Sequence, residues 1–553
     1  MMARHLLQKS LRLIFLLVAL GSLCPFPAKA WARQNPAPEF WLPTKVAFSG
    51  QNSPWREGWL KVAGAQEEKR RSDDCEDKAF SWKRRLFCLT IFSPACISQV
   101  LGASCPGRLA TGLDFLFEQE TEAERPGEQL LRWGGSFLVD YRSFTRSPQN
   151  YSFKEYRVEL QAEAGTQKTK LHSTLWVRSL GFSAVTNSQT LFAREKISPV
   201  EGELREAYVD FYGFPFSWMD LRVGRQRIAW GTADRVNPTD NLNPDDLEDI
   251  WDFGRHLSSD AIRVTGYWGN FTLTGVLIPT FTPASPPLPE WSSALMPPLA
   301  LNGLAIKNIT DEIILPANNF RQSSLFGLKM ASNFMGYDFS LSYVHGRDDL
   351  PLVRDVVVEK WSGQDADILV RLIYPRMKIL GLDMAGAVGG AGVWAEAAVF
   401  LPERVKGEVV FPVAGFGLVH QTTIALSNQT YAKWVIGADY TFGCGLYLNL
   451  QLARGFLHER GTAELGNYFL FNVEWRLLRD KLKLIPLAGC VEIRRWSRLS
   501  SQFAFIWAPV FEYHPGSNTE FRAGLRLIDS RGETNFGRLR AGDEIFFRMK
   551  YSF

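Results

Sequence analysis

The stretch from Ile545 to Phe553 constrains this chain more than any other. Ile545, Phe547, Met549, Tyr551 and Phe553 fall on one face of an extended strand, whereas Glu544, Arg548, Lys550 and Ser552 fall on the other. Phe546 is the one exception. Such a strand needs an apolar medium on one side and water on the other. The pattern recurs from about residue 131 onward in segments of about ten residues. Trp133, Phe137, Val139 and Tyr141 alternate with Arg132, Ser136, Asp140 and Arg142, and Phe521, Ala523, Leu525 and Leu527 with Glu520, Arg522, Gly524 and Arg526. Leu446, Leu448, Leu450 and Leu452 interleave with Tyr447, Asn449 and Gln451.

The amino terminus reads as a secretory signal. Arg4, Lys9 and Arg12 flank an apolar run from Leu13 to Leu20, and Ala28-Lys29-Ala30 presents small residues for a peptidase. Leu23 is too bulky for lipoprotein processing at Cys24, so cleavage is expected after Ala30, leaving Trp31 first. No later stretch approaches the roughly 18 to 20 uncharged apolar residues of a membrane helix. An exported chain of this kind is either periplasmic and globular or a barrel in the outer membrane. A mean hydropathy of -0.11 with 45 Gly, 18 Trp and 39 Phe favours the barrel, in which every strand keeps one lipid-facing side and aromatic residues mark the interfaces. A net charge of +4 gives no reason to invoke nucleic acid. Ending on an alternating strand with a terminal Phe, the chain resembles bacterial outer-membrane β-barrels.

Counting back from Phe553 at the periplasmic rim sorts the connections by length. Short turns at 164–167, 213–217, 268–270, 332–336, 388–392, 441–444, 479–481 and 514–518 fall on one side. Long connections at 181–202, 231–257, 281–321, 346–370, 401–428 and 530–541 fall on the other. The predicted fold is all-β: a transmembrane antiparallel up-and-down barrel of about 18 strands (16 to 20), with short periplasmic turns and long external loops. Such a barrel normally encloses an aqueous lumen. The inward parity carries Arg142, Arg157, Arg178, Arg522, Arg526 and Arg548 against Asp140, Glu159, Glu396, Asp439 and Glu474. Two readings stay open: paired, solvated wall charges, or separated basic and acidic faces that orient polar solutes. Near balance of the two signs argues against strong anion selectivity.

The most distinctive motif runs from Leu204 to Tyr212 and Leu221 to Gly231, and on through Ala233-Asp234, Asn237-Pro238, Asp240 and Asn243-Pro-Asp-Asp246. It resembles a porin-like family of outer-membrane barrels of largely unknown function, loosely akin to alginate-export channels. In that family a Gly-Arg-Gln strand runs into Trp-Gly and an Asp/Asn-Pro-rich external loop. The likeness covers about residues 200 to 280, and it implies a passive barrel, with some relatives linked to lipid or other hydrophobic cargo. Read from the residues, strict parity would point Arg225 into lipid, and a bulge at Gly224 would turn it inward. Glu206 and Asp210 are then partners for Arg222 or Arg225. The lumen or constriction candidates are Glu206, Asp210, Arg222, Arg225, Gln226, Trp230, Asp234, Asp240 and Arg263.

The acids that follow allow two readings. Asn243-Pro244-Asp245-Asp246 has the form of a helix start, with a capping Asn, Pro at the first position and acids in the first turn. Asp240, Asp245, Asp246 and Asp249 are the weaker alternative, a calcium site. A short loop helix over the lumen would narrow it, as would the loop bearing Pro283, Pro286, Pro287, Pro289, Pro297 and Pro298.

Residues 1–30 are thus expected to form a signal peptide, 31–110 a cysteine-containing periplasmic or partial-plug region, and 111–553 the barrel. Cys75, Cys88, Cys96 and Cys105 are disulfide candidates in an oxidising periplasm, lacking the close pairs of a zinc site, and Phe80 to Leu101 could form an amphipathic helix. Cys444 and Cys490 read as isolated thiols. The scattered His residues sit in no nucleophile motif, so no enzyme and no cofactor are expected. The function expected is a porin-like channel for small polar solutes in the bacterial outer membrane. The alternative is a carrier for lipid or other hydrophobic or polymeric cargo. Expected partners are outer-membrane lipid, the barrel-assembly machinery and a periplasmic transport partner.

Overall fold

The computed structural model describes residues 131–553 apart from 147–149, 253, 290, 292–304, 363–364, 414–416 and 500. The expectations for residues 1–130, including the signal peptide, the four disulfide candidates and the helix at 80–101, lie outside the described residues, as do Pro297 and Pro298.

Strands are numbered in chain order. The first seven are β1 (Arg132–Phe144), β2 (Tyr151–Gly165), β3 (Thr169–Leu180), β4 (Glu201–Phe211), β5 (Met219–Gln226), β6 (Ser259–Trp268) and β7 (Phe271–Ile278). Next come β8 (Ala305–Ile314), β9 (Leu325–Phe334), β10 (Tyr337–Arg347), β11 (Leu352–Ser362), β12 (Asp365–Ile373), β13 (Arg376–Val388) and β14 (Ala391–Pro402). β15 (Val405–Val413), β16 (Gly417–Leu426), β17 (Tyr431–Thr441), β18 (Leu446–Arg454), β19 (Asn467–Leu477) and β20 (Leu482–Ile493) follow. The last are β21 (Phe503–Trp507), β22 (Val510–Gly516), β23 (Thr519–Arg531) and β24 (Glu544–Ser552).

Nineteen of these form one antiparallel sheet that closes on itself through β1 and β24. Because β21 and β22 pair successively with the same two neighbours, β20 and β23, they are halves of one interrupted strand. Nineteen less one leaves eighteen positions round the wall, the number expected. Every short turn expected from the sequence joins two neighbouring wall strands, and every long connection lies at the opposite end. The loops joining β1 to β2, β18 to β19 and β20 to β21 are additional.

The closing seam runs from Phe144 opposite Glu544 to Ser136 opposite Ser552, and the last residue extends it by one pair. Phe553 and Gly135 exchange two backbone hydrogen bonds of 3.0 Å, continuing the β1–β24 register past Ser552. The Phe553 ring lies where a side chain at 135 would stand: a Cβ there would sit 2.8 Å from Phe553 Cζ and 2.3 Å from the Glu159 carbonyl oxygen.

The strand pattern sorts side chains as the alternation requires. Leu382 and Ile436 on the outer face are 56% and 57% exposed, whereas Asp140 and Arg142 inside are 0% and 2% exposed. Rows of bare aliphatic side chains belong in hydrocarbon. Aromatic residues gather at the margins: Phe216, Trp218 and Trp268 at the turn end, Tyr151 and Phe182 at the loop end.

Three connections read from sequence as plain loops carry strands of their own. β8, β11–β12 and β15–β16 assemble a second, five-stranded sheet in the order β16-β15-β11-β12-β8. Its buried side is Val356, Val358, Ala366, Ile368 and Val370.

Replacing Gly135 by Leu should displace the Phe553 ring at a cost of about 1–3 kcal/mol and lower the yield of heat-modifiable protein folded into detergent. At Gly134 a Cβ has its nearest neighbour at an ordinary 3.6 Å, so Gly134→Ala serves as the control. Equal folding yields for the two variants would refute this account of closure.

Candidate functional site

The connection from β5 to β6, residues 227–258, folds into the barrel and spans the lumen. Its path is set first by its own start. Asn243 Oδ1 accepts from the Ile228 amide at 2.7 Å, and its Nδ2 donates to the Gln226 carbonyl and Ser259 Oγ at 3.2 and 3.1 Å. Asp240 accepts from the Trp230 amide at 3.2 Å and pairs with Arg227 at 2.5 Å. Gln226, wholly buried, donates to the Ala261 and Gly224 carbonyls. Gly224 has a φ of 130°, and a Cβ there would lie 2.3 Å from the Ala207 carbonyl oxygen.

Ties to the wall hold the rest of the loop. Asp249 pairs with Arg142 of β1 at 2.5 Å and lies 3.6 Å from Arg548 of β24. Glu248 meets Arg178 of β3 at 2.6 Å, and Asp246 meets Arg205 of β4 at 3.1 Å and Arg255 at 2.9 Å. Nearly halfway round the strand order, Glu396 of β14 accepts from the amides of Thr232, Ala233 and Thr239 at 3.0, 3.1 and 2.7 Å and from the Thr239 hydroxyl at 2.8 Å. From the β10–β13 connection, Asp349 accepts from the Asp245 amide at 2.6 Å.

Apolar contacts complete the seat. Trp230 and Leu242 pack towards β9, where a Cβ on Gly327 would come within 2.9 and 2.7 Å of them. Val236 and Ile250 join a cluster with Val435, Ala453 and Phe456. The β23–β24 connection also folds in: the Asn535 and Phe536 amides donate to Glu492 of β20, both at 2.8 Å. The first half of the Pro-rich connection joins the same body, Ser285 exchanging backbone hydrogen bonds with Asp245 and Leu247.

Towards the turn end the inner wall stays polar, with its charges largely in neighbouring pairs. Arg222 binds Asp210 at 2.6 Å and lies 3.9 Å above the Tyr208 ring, with Arg263 beside it in register. His172 bridges Glu163 and Glu206 at 3.2 and 3.4 Å, while Glu206 also accepts from the Arg227 amide. Glu512 gathers Lys483, His514 and Arg522 at 2.7, 2.7 and 2.5 Å. These arrangements match the paired-wall reading, with neither sign in clear excess.

Several sequence expectations require correction. No helix begins at Asn243; residues 243–252 form irregular loop, because Asn243 is bonded to the loop's own base and the acids reach out to arginines. The calcium candidates do not converge. Asp240, Asp246 and Asp249 are held by Arg227, by Arg205 and Arg255, and by Arg142, while Asp245 lies 3.3 Å from His256. Among the described residues the one group with metal-like spacing is Glu512, His514 and Glu520, where Lys483 and Arg522 already hold Glu512.

Arg225 also stays on the outward face with Val223, facing Asp260 at 3.9 Å. The bulge instead falls on β4, where the register skips Arg205 and brings it inward beside Glu206. At the strand end an outward Arg costs only about 0–1 kcal/mol, so nothing forces Arg225 inward. Of the remaining candidates, Glu206, Asp210, Arg222, Gln226, Trp230, Asp240 and Arg263 lie inside, and Asp234 is exposed on the loop. The wall arginines were visible as inward residues and the loop acids as a cluster, but Glu396 and Arg205 as anchors carried no local signal. Among the described residues no disulfide joins Cys444 and Cys490.

The loop acids divide electrostatically. Burial would lift Asp246, but Arg255 and Arg205 outweigh it and hold the carboxyl below its usual range; Arg142 does the same for Asp249. Asp349 lacks such a partner. Burial, then the neighbouring Asp348 carboxylate, raises it to about 6, while burial and Asp349 push Asp245 well above the carboxylate range.

No family model matches the chain, and no curated protein does. Among solved structures it is similar to OccK9 (OpdG) of Pseudomonas aeruginosa, at 12% identity and a TM-score of 0.42 over 77% of this chain and 98% of that one. A BenF-like porin from Pseudomonas fluorescens aligns at 11% and 0.39 over 77% and 98%. Salmonella typhi OmpF, in complex with daunomycin, aligns at 9% and 0.35 over 77% and 100%.

A carboxyl raised on folding stabilises the fold below its ordinary value and loses that contribution as pH climbs through the raised one. For Asp349 the window runs from 3.8 to about 6. Melting of the detergent-folded protein should therefore weaken across this range by about 1–2 kcal/mol, allowing for partial solvation, and Asp349→Asn should flatten the profile. A wild-type profile already flat from pH 4 to 7 would disprove this.

Proposed function

We propose that this chain is a bacterial outer-membrane channel for small polar solutes, with its short turns in the periplasm and its long loops outside. The observation that carries the reading is the residue 227–258 loop, tied across the lumen from both sides of the wall. Supporting it are an apolar outer face suited to lipid and an inner face of ionised pairs that water can solvate. A loop so held narrows the passage, and the near balance of wall charge suits neutral or zwitterionic solutes better than anions alone. On this reading the partners are outer-membrane lipid, the assembly machinery that inserts barrels, and a periplasmic protein that takes up what passes.

Purified full-length protein in planar bilayers should give ohmic steps. Glu396→Ala leaves three loop amides without their acceptor, at about 1–3 kcal/mol each where they stay dry, so the loop should detach and the steps grow larger and noisier. If wild type and variant are both silent, the channel reading fails and a carrier for lipid or other hydrophobic cargo takes its place.

A further inference from the structure

At the loop end the folded-in loop shares a pocket with the wall, about 1060 Å³ including the solvent at its mouth. Its charged lining is Asp240, Asp245, Arg347, Asp348, Asp349 and Lys433. Two of these are already in ion pairs, Asp240 with Arg227 and Asp348 with Arg460 at 2.8 Å, and Arg347, only partly buried, donates to the Tyr374 and Gln322 carbonyls at 2.6 and 2.9 Å and to the Gln322 side chain at 3.1 Å.

Lys433, Asp245 and Asp349 form no ion pair with an Arg, Lys, Asp or Glu, although the Lys433 ammonium lies 5.1 Å over the Phe400 ring. Lys433 is 7% exposed, and its ammonium donates to the Phe456 and Leu457 carbonyls at 2.7 and 2.9 Å. An ammonium has three donors, so one remains. The protein makes deliberate room for this side chain, since a Cβ on Gly455 would stand 2.7 Å from Lys433 Cγ. Asp245 and Asp349 line the same pocket, and neither is paired with an arginine or lysine. The neighbouring His256 ring, kept below its usual pKa by burial and hence neutral, lies with Nδ1 3.0 Å from the Asn243 carbonyl and 3.3 Å from Asp245, so it offers Asp245 at most a share of one N–H. The remaining wall is apolar, with Phe400 and Tyr431 stacked at 5.0 Å and Met377 and Ile379 beside them.

A buried ammonium lines one cavity with two carboxyls that burial and mutual repulsion drive to hold on to a proton, and no ion pair joins the ammonium to either. A ligand carrying a carboxylate and an ammonium would give each side its counter-charge. We propose that this pocket binds a small zwitterion with an apolar body, its carboxylate on Lys433, its ammonium between Asp245 and Asp349, and its body against Phe400 and Tyr431. The inference deepens the channel reading by naming a solute class, and it rests on that reading only for the pocket's part in transport.

Titration calorimetry on the detergent-folded full chain tests it with three probes: L-phenylalanine, phenethylamine, which lacks the carboxylate, and 3-phenylpropionate, which lacks the ammonium. L-phenylalanine should bind at least about tenfold more tightly than either half-ligand, as expected when a charge-assisted hydrogen bond is lost. Lys433→Met should erase its advantage over phenethylamine, and Asp349→Asn should weaken both amines alike. No heat with L-phenylalanine, a half-ligand binding equally well, or full affinity in folded Lys433→Met overturns the proposal. Should Lys433→Met fail to fold, the probe comparison on wild type decides. Bilayer conductance is read separately, so a channel that conducts without binding L-phenylalanine defeats the pocket and leaves the channel standing.

Discussion

Everything distinctive at the loop end depends on buried ion pairs between loop acids and wall arginines. Asp246, Glu248 and Asp249 stand close together in sequence, and each finds its arginine on a different strand or strands: Arg205 on β4, Arg178 on β3, Arg142 on β1. Desolvation cancels much of the Coulomb gain of such pairs, so they add little net stability over a well-packed apolar isostere. Removing one partner is another matter, at about 3–5 kcal/mol for a charge left buried alone. The pairs therefore act chiefly as register marks. A loop shifted by one residue would offer each arginine the wrong neighbour, and the penalty would repeat at every tie.

The two sides of the loop are held by different chemistry. Towards β1, β3 and β4 the ties are charge to charge, whereas at β14 the Glu396 carboxylate collects backbone amides. The amides are fixed by the local chain path, so Glu396 selects one loop conformation, while the arginines select its position along the wall. Together they give a body rigid in shape as well as in place, which a loop anchored on one side would not be.

How much of this was legible in the sequence follows from the range of each interaction. Strand alternation is local, and so are the turns, which is why fixing Phe553 at one rim predicted the sidedness of each short turn read from the sequence, although the brief β1–β2 connection at the other end went unread. Which residues point inward followed from the same parity, down to Asp140, Arg142 and Arg548, which the structure joins through an Asp140–Arg548 contact of 2.6 Å. The Asn243-Pro-Asp-Asp segment failed because its local signals favour a helix of at most a few turns, marginal in water, while the wall offers the same acids complete arginine pairs. The bulge was sought at Gly224 because glycine permits one; the register shift lies at Arg205, where no residue type advertises it and only the need to bring a cation to Asp246 explains it. The second sheet was missed for a related reason. β8 pairs in parallel with β12, and β11 with β15, each across a different connection, and such pairings leave no trace in a single stretch of sequence.

The contrast between paired and unpaired acids then separates structure from function within one loop. Asp246 and Asp249 sit with arginines, and their charge serves the fold. Asp245 is three residues from Glu248 in the same loop, equally buried, yet its neighbours are another carboxylate and a neutral ring. The cation that shares its cavity, Lys433 of β17, is turned to two carbonyls instead. A loop that pairs Asp240, Asp246, Glu248 and Asp249 with arginines, yet leaves Asp245 beside Asp349 in the cavity that Lys433 lines, suits that cavity to a ligand carrying both charges.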